Sequence, residues 1–176
     1  MSKIVDLKSF SAARAIEKGQ RLWKTRFKEK LTAETMLADL SDETLITLAQ
    51  LGTTVNDIVY DLVMGALDMG SVYQFDALPS ETKMKVLDAS LFLIDQIRWE
   101  CLRRLNWIHG FPGEIYPMAI LILERIKIQM EFQPKFPELN QGHPQYFEFR
   151  RRRDLDGEAM LRAMIPAAIA GFSQRL

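Results

Sequence analysis

Apolar residues recur every three to four positions along much of this chain, which is the spacing of an α-helix with one buried face. Near the N-terminus this spacing predicts a basic helix over residues 9–30, with Lys and Arg between the apolar positions. Gly19 lies in the middle of this segment and weakens the helix by about 1 kcal/mol relative to alanine. The apolar positions are Phe10, Ala13, Ile16, Trp23 and Phe27.

Capping and turn residues divide the rest of the chain into further helices. Ser41 precedes the acidic first turn of "DETLITLAQL", an arrangement that a helix N-terminus favours. The longest helix is predicted from about residue 80 to 108, between Pro79 and the turn-forming segment "HGFPGEIYP". Shorter helices are predicted after Thr32 ("AETMLAD"), after Thr53 or Thr54 ("VNDIVYDLVMGALDM"), and after Asp154 or Asp156, with Pro166 interrupting the last.

The segment "PMAILILERIKIQMEF" carries two apolar patterns. Ala119, Ile122 and Ile126 belong to a helical stripe, whereas residues 126–132 alternate between apolar and polar as a strand does. We favour a helix because the run is long and begins at Pro117, a residue that suits the first helical position. A small β-hairpin near residues 124–150 is the alternative, since "YFEFR" also alternates.

These patterns predict a mainly α fold: a single helical domain over residues 1–176, built as a bundle of six to eight helices around the long central one. The chain has 176 residues, of which 48% are hydrophobic and 26% charged, so it can bury one core. The sequence contains neither an apolar run long enough to span a membrane nor an apolar N-terminal leader. We therefore expect a cytoplasmic protein that has no membrane contact and no cofactor.

Charge is segregated along the chain although the net charge is zero. Residues 1–30 hold nine basic and three acidic side chains, and residues 31–97 hold two basic and 11 acidic ones. Residues 98–176 hold 12 basic and nine acidic side chains. Such blocks need a partner of opposite sign. We favour the interpretation that the basic N-terminal helix packs on the acidic middle segment, within one chain or between two chains. The alternative is that it binds an external polyanion or an acidic protein.

On a helical wheel, Arg98 falls near the centre of the apolar face of the long helix, where Cys101 and Leu105 also lie. Cys101 is therefore expected to be a small buried side chain rather than a nucleophile. A guanidinium in such a place needs a carboxylate or several carbonyls as partners. Arg98 is a candidate either for a structural ion pair with a distant carboxylate or for anion binding in a cleft.

The opposite side of the same helix carries Trp99 and Arg103. An aromatic residue on this side indicates either that the helix is packed on both faces or that Trp99 faces a partner protein. Trp and Arg are the residue types enriched at the centres of interfaces. Trp99 and Arg103, together with Trp23 of the basic N-terminal helix, are therefore candidate interface residues.

Arg104 is followed, after four intervening residues, by His109. This arrangement is similar to a motif of the HEPN-type ribonucleases, which are all-α and often dimeric. The resemblance implies that Arg104 steadies a phosphate and that His109 acts as acid or base. Leu105 departs from the motif, whose arginine is commonly followed by a polar residue. The alternative is that His109 ends the long helix beside Gly110 by interacting with its last carbonyls.

Three aspartates, Asp57, Asp61 and Asp68, share one face of their predicted helix. Carboxylates grouped in this way are weak candidates for binding a hard cation. A solvated face, or a dock for the basic N-terminal helix, is the favoured interpretation. No Glu-x-x-His or paired Glu-x-x-Glu motif accompanies them.

Four consecutive arginines follow the aromatic segment "YFEF". Cations beside aromatic rings can bind the phosphates and bases of a nucleic acid. Three acidic residues come directly after the run and neutralise part of it. The anion-binding candidates here are Arg150, Arg151, Arg152 and Arg153.

The function we expect from these features is that of a non-catalytic helical module that binds another protein, or a second copy of itself as a homodimer. A nucleic-acid-binding or HEPN-like RNA-cleaving protein is the first alternative. A metal-dependent enzyme that uses the aspartate stripe is the second.

Overall fold

A computed structural model describes residues 7–50 and 52–174. These residues form a mainly α fold with eight α-helices and one pair of very short strands, as the sequence predicts. The helices are α1 (Leu7–Gly19), α2 (Arg21–Arg26), α3 (Asp42–Ala49), α4 (Thr53–Ala66), α5 (Ser80–Arg104), α6 (Met118–Leu123), α7 (Arg125–Glu131) and α8 (Tyr146–Ser173), and the strands are β1 (Ile108–His109) and β2 (Glu138–Leu139).

The centre of the fold is α5, which contacts α3, α4, α6 and α8. Side chains on both of its sides are buried, Leu93 and Ile97 on one and Trp99 on the other. The helix ends at Arg104, earlier than the predicted residue 108, because Asn106 adopts a left-handed conformation with φ 60°. The amide of Trp107 then donates to the Leu102 carbonyl over 3.0 Å, which closes the helix C-terminus.

The N-terminal segment is not the single helix predicted over residues 9–30. It divides at Gln20 into α1 and α2, and the buried carboxylate of Asp61 accepts a hydrogen bond from the Leu22 amide at the start of α2. Gly19 ends α1 against Gly65 of α4, so closely that a Cβ on Gly65 would lie 2.4 Å from the Gly19 Cα. The two helices therefore meet backbone to backbone, which explains a glycine that helix propensity alone disfavours.

The segment before α3 also differs from its prediction. Instead of a helix over "AETMLAD", residues Leu37–Asp39 form one 3₁₀ turn. The guanidinium of Arg104 donates hydrogen bonds to the carbonyls of Leu37, Ala38 and Leu40. These carbonyls are then not available as acceptors for a longer helix. The predicted cap of α3 is present, since the Ser41 hydroxyl accepts from the Thr44 amide over 3.2 Å.

Residues 118–131 are helical rather than extended, but α6 and α7 are separate helices joined at Glu124. The strand pairing places Ile108 opposite Leu139, so only one of the two strands comes from the region 124–150.

The last helix is longer than predicted. It begins at Tyr146, so "YFEFR" is helical, and its backbone bends at Asp156 (φ −148°) instead of starting there. Pro166 lies inside the helix and does not end it. In the part of the chain that the structure covers, no helix is both long and apolar enough to cross a membrane.

Candidate functional site

An open groove of about 890 Å³ runs along α7, between the C-terminal end of α4, the first half of α5 and the end of α6. Its walls are apolar, and its rim is charged, with four basic and two acidic side chains. The apolar lining consists of Leu67, Met69, Ala89, Ile122, Leu123, Ile126 and Met130. The rim consists of Lys8, Lys85, Arg125, Lys127, Glu124 and Glu131.

The break at Glu124 decides which side chains α7 presents to this groove. Ile126 follows Ile122 by four positions, so an uninterrupted helix would place both on one buried face. Because the backbone of Glu124 leaves the helical conformation (φ −107°, ψ 19°), α7 buries Ile128 instead. Ile126 and Met130 are left 66% and 74% exposed. Two large apolar side chains one helical turn apart thus lie in solvent beside an apolar groove.

The ion pairs that Lys127 forms on the rim are long. The Lys127 ammonium lies 3.6 Å from the Glu124 carboxylate and 3.7 Å from that of Glu131. Tyr116 donates a hydrogen bond to Glu131, and this bond raises the pKa of the tyrosine. Exposed pairs of this kind contribute little to folding. Lys127 and Glu131 can therefore form new pairs with a partner at small cost.

The candidate interface residues from the sequence lie elsewhere. Trp23 and Trp99 are 0% and 2% exposed, so the structure places both tryptophans in the core rather than on a contact surface. The Trp23 ring donates to the Glu29 carbonyl, and α8 covers the Trp99 side of α5, with Arg162 stacked 5.5 Å from the ring centre. Arg103 donates two hydrogen bonds to Glu100, at 2.6 and 2.7 Å.

Arg98 is partly buried on α5, as its position on the wheel indicates. Its Nε is shielded from solvent and has no acceptor among the described residues. Among the described residues, no carboxylate forms the ion pair with Arg98 that the sequence leads us to expect. Cys101, one turn further along, is fully buried, and this burial raises the pKa of its thiol to about 12, which leaves it unreactive as a nucleophile.

We expect Arg98→Met to leave the melting temperature unchanged or to raise it by a few degrees. A shielded donor without an acceptor costs about 1–3 kcal/mol, and methionine fills similar space without that donor. The measurement is a thermal unfolding curve followed by circular dichroism. The matched control is Arg103→Met on the same helix, which should lower the melting temperature because it removes a partner of buried Glu100. A loss of stability in Arg98→Met as large as in the control would contradict this account.

Arg104 and His109 are not arranged as the resemblance to HEPN-type ribonucleases implies. The Arg104 side chain is only 13% exposed, and its guanidinium donates to Glu100, to Asp42 and to backbone carbonyls. It is engaged inside the fold instead of facing a phosphate. His109 lies in β1, exposed, with its Nδ1 2.5 Å from the Asn140 side-chain oxygen. It does not end α5 either, because that helix stops five residues earlier.

The three aspartates do not form one stripe. Asp57 is exposed on α4, whereas Asp61 is buried and accepts from the backbone amides of Leu22 and Val72, at 3.4 and 3.3 Å. Asp68 lies beyond the end of α4 and pairs with Lys18. Within residues 7–50 and 52–174, no three His, Cys, Asp or Glu side chains are grouped so that they could hold a metal ion.

The four arginines lie on α8, and three of them pair with carboxylates. Arg151 pairs with Glu148, Arg152 with Asp156, and Arg153 with Glu138. Arg150 is exposed. Intramolecular pairing thus offsets much of the charge that made this run a candidate for anion binding.

No protein-family model, curated protein or solved structure matches this chain. The groove along α7 combines two exposed apolar side chains with a cavity able to receive them.

Proposed function

We propose that this protein is a non-catalytic helical interaction module that forms a homodimer through the α7 groove, with the cytoplasm as its expected location. The observation that carries the proposal is the exposure of Ile126 and Met130, at 66% and 74%, on the edge of an apolar groove of about 890 Å³. Large exposed apolar patches rimmed by polar groups are typical of protein-binding sites.

A second copy of the chain is the partner that fits this surface. A twofold interface presents the same patch on both subunits, so the patch must complement itself. If α7 packs antiparallel on its counterpart, Ile126 of each subunit meets Met130 of the other. Lys127 then lies beside Glu131 of the other subunit, which pairs opposite charges on both sides of the axis. The order of residues along α7 satisfies both conditions at once.

The expected dimer is a moderately weak one. Burying an isoleucine or methionine side chain contributes about 1.5–3 kcal/mol, so four such side chains contribute about 6–12 kcal/mol. Association costs about 4–15 kcal/mol in lost translational and rotational freedom. The most favourable combination of these terms leaves about 8 kcal/mol, which corresponds to a dissociation constant of about 1 μM, so the dimer is tested at high micromolar concentration.

Replacing Ile126 with glutamate is expected to abolish the dimer, because it would bury an unpaired carboxylate in the apolar groove of the partner. Sedimentation velocity at high micromolar concentration should show a dimer for the native chain and a monomer for Ile126→Glu. Leu155→Glu is the matched control, since Leu155 is 87% exposed on α8, away from the groove, and this variant should remain dimeric. A native chain that stays monomeric, or an Ile126→Glu chain that stays dimeric, would refute the proposal.

A further inference from the structure

A second cavity, of about 260 Å³, lies between α5, α7 and α8 and has charged as well as aromatic walls. This volume falls just below the range of about 300–1,000 Å³ that is usual for drug-sized ligands. The cavity therefore suits a small metabolite.

The acidic groups of the cavity come from α5 and α8. Asp95 accepts two hydrogen bonds from Arg162, at 2.8 and 2.6 Å, and Glu158 accepts two more from the same guanidinium, at 3.0 and 2.8 Å. The hydrogen bond to Asp95 is the main cause that raises the pKa of Arg162. Two carboxylates and one guanidinium give this cluster a formal charge of −1. Asp88 lies on α5 about two turns before Asp95. It is exposed and has no ion pair among the described residues. These groups together carry a charge of −2.

The basic groups come from α7 and the loop that follows it. Arg125 donates to the neutral side chain of Gln129 over 2.9 Å, and no carboxylate of the described chain lies within ion-pair distance of it. Lys135 is exposed and likewise has no ion pair in that part of the chain. Two cations without a carboxylate partner in the described chain thus border the cavity, and α5 and α8 supply carboxylates to its other walls.

Apolar and amide groups complete the lining. Phe92 and Trp99 of α5 and Phe132 at the end of α7 provide aromatic surface. Gln96 is buried, and its Oε1 accepts a hydrogen bond from the Gly113 amide over 3.0 Å. This hydrogen bond holds the side-chain amide of Gln96 in one orientation. The N–H groups of that amide are the donors that Gln96 can offer to a ligand.

We propose that this cavity binds a small zwitterion, specifically an α-amino acid with an apolar side chain. The carboxylate of the ligand pairs with Arg125 and Lys135, and its ammonium group pairs with Asp88, whereas Asp95 stays paired with Arg162. Its side chain lies against the aromatic surface. A dicarboxylate would place one carboxylate beside the acidic groups, and a diamine would place one ammonium group beside the basic ones. Either charge would be left unpaired in a partly dry site, which is costly. The cavity shares Arg125 with the rim of the α7 groove and otherwise has a separate lining, so the variants that test the two proposals lie at different residues.

The test is isothermal titration calorimetry of the native chain with a series of apolar amino acids: alanine, valine, leucine, methionine and phenylalanine. At least one should bind with one site per chain. For that amino acid, the N-acetyl derivative, which lacks the ammonium group, and the amide, which lacks the carboxylate, should each bind at least tenfold more weakly. Absence of binding by all five, or equal binding of the capped derivatives, would overturn the proposal.

Two variants locate the site. Asp88→Asn and Lys135→Gln remove one charge from each group, at exposed side chains with no ion pair in the described structure, so folding should be unaffected. Each should weaken binding of the free amino acid about tenfold. Lys24→Gln, which changes an exposed lysine of α2, is the control and should leave the affinity unchanged. Unchanged affinity in both cavity variants would place the ligand elsewhere and overturn the assignment.

Discussion

Replacing Arg104 with methionine is expected to lower the free energy of unfolding by about 3–5 kcal/mol, the cost of breaking a buried ion pair by removing one partner. Arg104 connects α5 to the segment before α3. Its Nε lies 2.9 Å from Glu100, and its terminal nitrogens donate to Asp42 and to the carbonyl of Leu40 at 2.7 Å. Without the guanidinium, the carbonyls of Leu37 and Leu40 lose this donor, and the fully buried Glu100 keeps Arg103 alone as its charged partner.

Urea unfolding followed by circular dichroism measures this loss as a lower midpoint with an unchanged slope. Arg103→Met is the matched control, because Arg103 binds Glu100 alone and its side chain is 34% exposed, against 13% for Arg104. The control should cost clearly less. An Arg104→Met variant no less stable than the control would mean that the contacts of Arg104 to the 37–42 segment contribute nothing.

Replacing Gly65 with alanine is expected to lower the free energy of unfolding by about 2 kcal/mol, within the range for overpacked cores. The new Cβ would lie 2.4 Å from the Gly19 Cα and 2.6 Å from the Gly19 nitrogen. Backbone atoms cannot rotate away, so α1 must shift from α4. Helix propensity acts in the opposite direction, since alanine in a helix is favoured over glycine by about 1 kcal/mol.

Gly171→Ala provides the control of opposite sign. Gly171 lies in α8, and a Cβ there would meet no atom within 4 Å. This variant should therefore keep the propensity gain and melt at a slightly higher temperature, whereas Gly65→Ala should melt several degrees lower. If both variants melted higher than the native chain, the close approach of α1 and α4 would be wrong.

The local signals in the sequence predict the helices better than they predict how the helices face one another. Ser41 and Pro79 mark the starts of α3 and α5 because capping depends on neighbouring residues alone. The break at Glu124 has no proline or glycine to announce it. The exposure of Ile126 and Met130, and with it the groove, could not be predicted from the helical stripe.

The roles of Arg104 and Trp99 illustrate the same limit. Asp42, a partner of Arg104, lies 62 residues away in the chain, so spacing alone related Arg104 only to the nearby His109. Glu100, four residues before Arg104, is the signal in the sequence from which an internal ion pair could have been predicted. For Trp99, a wheel shows that α5 is apolar on two sides, but not whether α8 or a second subunit covers the second side. Homodimerisation is a hypothesis from the sequence, and the groove along α7 is the surface that we propose for it.

The most direct test of that surface is an NMR measurement of contacts between subunits. Chains labelled with ¹³C only at isoleucine methyl groups are mixed with chains labelled only at methionine methyl groups, so that any Ile–Met cross-peak between labelled methyls joins two different molecules. We predict a nuclear Overhauser effect between the Ile126 methyl of one copy and the Met130 methyl of the other at high micromolar concentration. A mixed sample that shows no such contact, whether it is monomeric or dimeric through another face, would contradict the proposed dimer.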